Sequence, residues 1–360
     1  MKQITLGLCA LALCSAAAPA QNTQRLAATK ANEYALVYSL PTTALSITLE
    51  AEVTTRKPGE FYKYAKRYLN IDNPITSESH SARLIGATVG TRGLANEEER
   101  YAVQFKSGAP TFMLLSPEGI PLAVNTEQTF KAPAVELPVS KDAAPTPLET
   151  PAARQVVSQE MMQSQSTAKR AELASQAIFA IRQTRSELVS GQAETMPPDG
   201  KSLQLMLDNL EAQEQALMAM FVGTTSTRTD VATYTVVPDK ELKNYVLARL
   251  SPLDGLVGAD DLSGAPVTLD ITITAKGEFP LNDKGEAIPF PKNGFAYRIP
   301  GEARVSVSYD GETFADDNER IAQFGVVYGL SPSTIGDKKA PQYVILDPAT
   351  GAVVETGAAH

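Results

Sequence analysis

Apolar residues follow two different periods along this chain, and the change of period divides it. In YALVYSLPTTALSITLEAEVTT (34–55) they alternate, most regularly at Leu45, Ile47, Leu49, Ala51 and Val53. A spacing of two puts those side chains on one face of an extended strand. Strand-like runs recur at 82–89 and 100–105, and FMLLSPEGIPLAV folds back on itself at Pro117 and Gly119. Between 166 and 221 the spacing becomes three and four. Ala171, Ala174, Ile178, Ile181 and Leu188 line one face of a predicted helix, and Leu203, Leu207, Leu210, Leu217 and Phe221 line a second. Gly191, Pro197, Pro198 and Gly200 break the run between them, because Gly ends helices and Pro cannot continue one.

Beyond 221 the alternation returns. TSTRTDVATYTVV, VTLDITITA, QFGVVYGL and APQYVILDPATGAVVE read as strands, and YRIPGEARVSVSYDGETF as a hairpin turning at Asp310-Gly311. Two short helices are predicted after prolines, GEFYKYAKRYL behind Pro58 and DKELKNYVLARL behind Pro238, with a lead-in helix over 154–165. Five prolines (Pro133, Pro138, Pro145, Pro147, Pro151) mark a semi-extended linker. Two local matches recur in order on either side of the helices. Glu60-Phe-Tyr-Lys-Tyr-Ala resembles Glu241-Leu-Lys-Asn-Tyr-Val, and Ala109-Pro-Thr-Phe-Met-Leu-Leu-Ser-Pro resembles Ala340-Pro-Gln-Tyr-Val-Ile-Leu-Asp-Pro. Short strand-turn patterns also converge on such likeness, so duplication and convergence both stay open. The expected fold class is α+β: two β-rich units, a duplication on the first reading, with an inserted antiparallel helical hairpin. The expected boundaries are 1–20 for a signal peptide, 21–131 for an N-terminal β domain and 132–153 for the linker. The helical hairpin then takes 154–225 and a C-terminal β domain 226–360.

The N-terminus MKQITLGLCALALCSAAAPAQ joins Lys2, an apolar run and Ala18-Pro19-Ala20, the pattern of a secretory signal peptide cleaved near Gln21. Both cysteines, Cys9 and Cys14, fall inside it, which leaves the mature chain without disulfides or thiolate chemistry. Acylation at Cys14 is disfavoured, since Leu13 stands where lipoprotein processing wants a small residue. No later run is long and apolar enough to span a bilayer. Removing Lys2 takes the formal charge from −9 to −10. An acidic chain has no long-range attraction for phosphate backbones, so nucleic acid is not an expected partner.

The search for chemistry returns little. His80 and the terminal His360 are the two histidines, and no Gly-x-Ser-x-Gly elbow, His-Glu-x-x-His or phosphate-binding glycine loop is present. No catalytic residue, cofactor or metal is expected. Contact with a ligand or partner falls to a few candidates. Tyr64 and Tyr68, one helical turn apart, can stack on a ligand or pack on the sheet. Asp254, Asp260 and Asp261 in SPLDGLVGADDLSG supply hard oxygens without EF-hand spacing, and serve equally well as turn caps. Glu214 continues an apolar stripe. With the arms folded level, Arg185 falls near Met206 and Asp208, and Glu214 near Ala177. Glu214 is therefore expected unpaired at the solvent edge of the stripe, or against a basic group of a β domain or a partner.

YSLPTTALSITLEAEVTTRKPGEFYKYAKRYL, MPPDGKSLQLMLDNLEAQEQALMAMFVGTT, RLSPLDGLVGADDLSGAPV, YRIPGEARVSVSYDG and QFGVVYGL together resemble a family of exported Bacteroidetes proteins described as a domain of unknown function. That resemblance implies an envelope or secreted location and supplies no activity, cofactor or site residue. The reading is a non-enzymatic, exported cell-envelope protein, periplasmic or at the surface, that binds an envelope protein or glycan or serves a structural role. The alternative is an enzyme acting on envelope carbohydrate through paired carboxylates.

Overall fold

The alternation at 45–53 folds as the middle of β1 (Leu36–Lys57), a 22-residue strand that is central to a three-stranded antiparallel sheet. The computed structural model describes residues 36–103, 112–133, 136–291, 294–331, 335 and 342–359. The expected signal peptide, Cys9, Cys14 and His360 lie outside them, as do Ala109 and Ala340. β1 pairs on one side with β2 (Ser79–Val103) and on the other with β5 (Thr224–Val236), so Ile47 stands opposite both Val89 and Tyr234. The strand runs unbroken through Pro41, which sits at a register shift where its missing N–H leaves no gap in the ladder.

Leu45, Ile47, Leu49 and Ala51 face a second sheet and are fully buried. That sheet is built from β6 (Leu242–Ser251), β7 (Gly255–Val257), β8 (Ala265–Ala275), β9 (Phe295–Tyr309) and β10 (Glu312–Leu330), in the order β10-β9-β8-β6-β7. Alternating Val267, Leu269 and Ile271 on β8 meet Val305 and Val307 on β9 in the same core. Burying each such side chain contributes roughly 1.5–3 kcal/mol. The Asp310-Gly311 turn forms as expected, with φ of 51° and 80° at its two residues, the left-handed pair that matches the twist of the flanking strands.

A second core lies under the four-stranded sheet β12-β11-β4-β3, made of β3 (Met113–Leu115), β4 (Pro121–Val124), β11 (Gln342–Leu346) and β12 (Val353–Ala358). The first residues of β1 reach into it. The Tyr38 ring stacks on Phe295 at 4.9 Å, and its hydroxyl donates to Ala296 O at 3.1 Å and accepts from Ala296 N at 2.8 Å. Burial pushes the Tyr38 phenol well above its ordinary value. Nearby, the buried Arg298 guanidinium pairs with Glu99 and donates to Ala322 O.

Sheet pairing crosses the expected domain boundaries. β5 completes the sheet of β1, and β11 pairs with β4, so the N-terminal and C-terminal β regions share sheets and cores. The predicted linker is also docked: Lys141 bridges Thr229 of β5, and Ser140 Oγ accepts from Val231 N at 2.9 Å. DKELKNYVLARL is strand β6, not helix. It pairs with β8, with register shifts at Leu242/Tyr245 and Val246/Ala248, and that pairing overrides the local preference. The first sequence match therefore sets helix against strand. Glu60 precedes a helical turn, whereas Glu241 accepts from Ile273 N at the start of β6.

The third core is helical. A 3-10 turn (Tyr62–Tyr64) runs into α1 (Ala65–Leu69). The predicted lead-in helix is two short ones, α2 (Pro151–Gln155) and α3 (Gln159–Gln163), followed by α4 (Thr167–Ser190) and α5 (Gly200–Val222). Phe61, Ala65, Met161, Ala171, Ala174, Ile178, Leu217 and Phe221 close together, with Phe61 and Phe221 at 5.4 Å. Gly59 permits this closure, since a Cβ there would stand 2.3 Å from Met220 O. Among the described residues, no helix is long and apolar enough to cross a membrane.

Candidate functional site

α4 and α5 are deeply buried at one end and only partly covered at the other, where Leu188 is buried and Leu203, Leu207 and Leu210 are half-buried. Ser166 caps α4 by accepting from Lys169 N, and Gly191, at φ 74°, ends it in the left-handed conformation. Asp199 caps α5, accepting from Ser202 N at 2.8 Å and from Ser202 Oγ at 3.1 Å; these bonds hold its carboxyl below the usual range. Every buried residue of α5 lies between Ala216 and Phe221, although the helix has 23 residues. In α4 burial is confined to Ala171, Ala174, Ser175 and Ile178, plus Leu188 further out. The shared ends form the third core, and the remainder projects from it.

Glu214 sits between the helices and accepts from Arg182 Nε at 2.6 Å, with Arg185 Nη1 at 3.2 Å. Its side chain is 12 % exposed, so the expectation of an unpaired carboxylate at the stripe edge is overturned. Stagger is the reason. Arg170, near the start of α4, lies 5.7 Å from the Phe61 ring, which packs on Phe221 at the end of α5, so the helices run in opposite senses. Ser190 ends α4 five residues past Arg185, whereas Gly200 begins α5 fourteen residues before Glu214. About two and a half turns of α5, roughly 13 Å, therefore extend beyond the end of α4.

The outer end carries apolar side chains in water, Leu205 and Met206 on α5, Val189 on α4 and Met196 in the turn between them. Leu205 is 71 % and Val189 70 % exposed, and Met196 and Met206 are exposed too. Met162 is likewise exposed, while Met218 and Met220 pack against the helical core. Five carboxylates, Glu187, Glu194, Asp199, Asp208 and Glu211, share the outer end with Lys201. Four of them accept from neutral neighbours: Gln183 on Glu187, Ser202 on Asp199, Gln204 on Asp208 and Gln215 on Glu211. The outer end thus combines exposed apolar side chains with an excess of carboxylates.

A family model for a domain of unknown function, DUF4831, matches residues 34–354. The chain belongs to the DUF4831 family. No curated protein and no solved structure matches it. The DUF4831 match spans the sandwich, the second core and the whole of α4 and α5, so the projecting helices are part of the family domain.

Within that domain the other sequence candidates do not gather. Tyr64 and Tyr68 pack against each other at 6.1 Å and against the helical core, and Tyr68 OH donates to Ala168 O at 3.4 Å. Asp254 belongs to the turn between β6 and β7, where its carboxylate accepts from Ser251 Oγ and its carbonyl accepts from Arg228. Asp261 accepts from Ser263 N, and that bond lowers its carboxyl below the usual range. Asp260 is exposed beside it in the same turn. Among the described residues no group of three or more His, Cys, Asp and Glu is arranged to hold a metal.

Sequence reasoning missed one place. The outer face of β1 and β2 and the crossing segment at 136–138 enclose a groove of about 350 Å³ lined by Thr48, Glu50, Thr88, Glu136 and Leu137. Alternation identifies Glu50 as an outward residue of β1. Nothing local brings Glu136 to it, because that contact depends on where the 136–141 segment docks.

Proposed function

We propose that this DUF4831 protein is a non-enzymatic module of the cell envelope that binds another protein through the outer half of α4 and α5. The carrying observation is the exposure of Val189, Leu205 and Met206 on the helices and of Met196 in the turn between them, at the end where α5 has no buried residue. Large apolar side chains held out on a rigid, capped element stabilise nothing in the monomer and are suited to an interface. The two helices act as one inserted hairpin. Export rests on the signal-peptide pattern of 1–20, which leads to the periplasm or the cell surface.

The test is capture from envelope extract by the full mature protein and by a variant in which 183–213 is replaced by a short Gly-Ser turn. That replacement leaves Ala171–Ile178 and Ala216–Phe221 in place, and an unchanged circular dichroism spectrum checks folding. Loss of a captured partner on shortening supports the reading, whereas equal capture moves the interface to the β sheets. Fractionation of cells, with the N-terminus of the mature protein sequenced, tests export.

A glycan-directed activity has one observation in its favour, the two carboxylates Glu50 and Glu136 in the outer-face groove. Loss of glycan-array binding or hydrolysis in both Glu50→Gln and Glu136→Gln supports it; the same signal in wild type and variants removes it.

Duplication is retained in altered form. A long hairpin followed by a short one occurs twice, as β1–β2 with β3–β4 and as β9–β10 with β11–β12. The orders β2-β1-β5 and β10-β9-β8 also correspond. The second sequence match fits this scheme, since Pro117 and Pro348 each follow the first strand of a short hairpin.

A further inference from the structure

We infer that the outer edge of β5 is a strand-addition site. Segment 136–141 covers it, and an extended segment of a partner protein takes that place as a fourth strand of the β2-β1-β5 sheet. The site is separate from the projecting helices and does not depend on the role proposed for them.

Edge strands expose unpaired backbone groups, and folds guard them with bulges, charges, short length or a covering segment. Six strands stand at the edges of the three sheets. β3 and β7 have three residues each and β12 has six. β2 and β10 are longer, but both are broken by register shifts and both are charged. The charges include Glu97, Glu98 and Glu99 on β2, and Asp316, Asp317 and Glu319 on β10. β5 has none of these guards. Its 13 residues pair with β1 from Thr224 to Val236 without a register shift and contain no proline. Its two charges, Arg228 and Asp230, bond to each other, and Arg228 also bonds to the turn before β7.

The cover that remains is slight. Lys141 and Thr229 exchange backbone N–H···O bonds of 2.8 Å, and Ser140 Oγ accepts from Val231 N at 2.9 Å. Both backbone groups of Thr229 therefore point away from β1, and so do those of the alternate residues Thr225, Thr227, Thr233 and Thr235. All four are exposed, and among the described residues none of them bonds to the covering segment. Leu137 and Val139, the large apolar residues of that segment, are 55 % and 72 % exposed, so no buried side chain anchors it.

The seated segment shows the form of the occupant. The Lys141–Thr229 bridge is antiparallel, so this edge already receives an extended chain in that direction. A longer segment can pair as well with the four residues that 136–141 leaves open. Beside the edge, Thr227, Thr229, Val231 and Thr233 form an uncharged row on the outer face of the sheet. Threonine, serine or valine suits the positions opposite them.

The probe is a short, fluorescently labelled peptide of alternating threonine and valine with a lysine at each end, titrated with the full mature protein and followed by anisotropy. Ser140→Ala/Lys141→Pro loosens the cover without altering β5, since proline has no N–H to give Thr229 O. This double variant is expected to bind the peptide about tenfold tighter than wild type. N-methylation of every peptide residue is expected to lose about tenfold, as is Thr233→Pro added to the double variant. Proline at 233 removes only an outward N–H, and an unchanged circular dichroism spectrum checks folding. The methylated peptide tests the same point with β5 intact. Equal affinity of wild type and double variant overturns the inference, as does binding that survives N-methylation. Absence of binding by the double variant overturns it too. If the double variant instead dimerises in sedimentation, and Thr233→Pro abolishes that, the occupant is a second copy and the partner assignment fails.

Discussion

β1 between Leu45 and Ala51 and α5 between Gly200 and Gln215 are both patterned with apolar residues on one face, yet their fates differ. All four inward residues of the β1 segment are fully buried, whereas α5 has no buried residue before Ala216. Periodicity specifies which element forms and which face is apolar. It does not specify what covers that face. On β1 the cover is another sheet of the same chain; on the outer part of α5, Leu203, Leu207 and Leu210 are only half-buried, and Leu205, on the other side of the helix, is exposed.

The contrast can be broken at several points, beginning with the helical base. Phe221→Ala is expected to cost about 3–5 kcal/mol, because a fully buried ring packed on Phe61 leaves a cavity that its neighbours cannot fill; urea unfolding measures it. Ile47→Ala in the sandwich should cost about 2–5 kcal/mol and lower the midpoint of the same single transition. A smaller effect, about 1 kcal/mol, is expected for Glu214→Ala, since both arginines freed by it remain largely in contact with water. Leu205→Ala should lie within about 0.5 kcal/mol of wild type, and a loss as large as that of Ile47→Ala would mean that α5 is covered along its whole length.

Titration sharpens the contrast further. Burial, with help from the Asp317 charge, raises the Glu319 carboxyl above the usual carboxylate range. A folded value above the unfolded one gives stability that is complete below the unfolded pKa and lost as pH rises through the folded one. Glu319→Gln should therefore raise the melting temperature at neutral pH, with the gain vanishing in acid below about pH 4. At the opposite extreme, the raised Tyr38 phenol keeps its contribution until about pH 10, the unfolded value, and loses it as pH rises further. An alkaline unfolding curve that Tyr38→Phe leaves unshifted would contradict this assignment.

How much was legible follows from how far apart the interacting residues lie. The alternation at 45–53, the Asp310-Gly311 turn and both long helices depend on neighbours within a few residues, and each formed where the pattern placed it. β6 was misread because its strand identity comes from β8, with Asn244 at φ 51° breaking the alternation that would have revealed it. Glu214 was misplaced for a different reason. The turn between α4 and α5 fixes their order but not their stagger, and two turns of shift replaced Met206 by Glu214 as the partner of Arg185. The groove at Glu50 and Glu136 was invisible, since it forms only when 136–141 docks on β5.

β1 also imposes a schedule on the birth of the molecule. Thr48 bonds to Thr233 across 185 residues, Tyr38 to Ala296 across 258, and Thr43 to Ala349 across 306. The first long strand to be synthesised thus waits for the last hundred residues before its neighbours are complete. Pairing over such distances closes long loops and is slow. β2 and β5 can pair its edges earlier, but until the second sheet is made its apolar face lacks its cover and is open to aggregation.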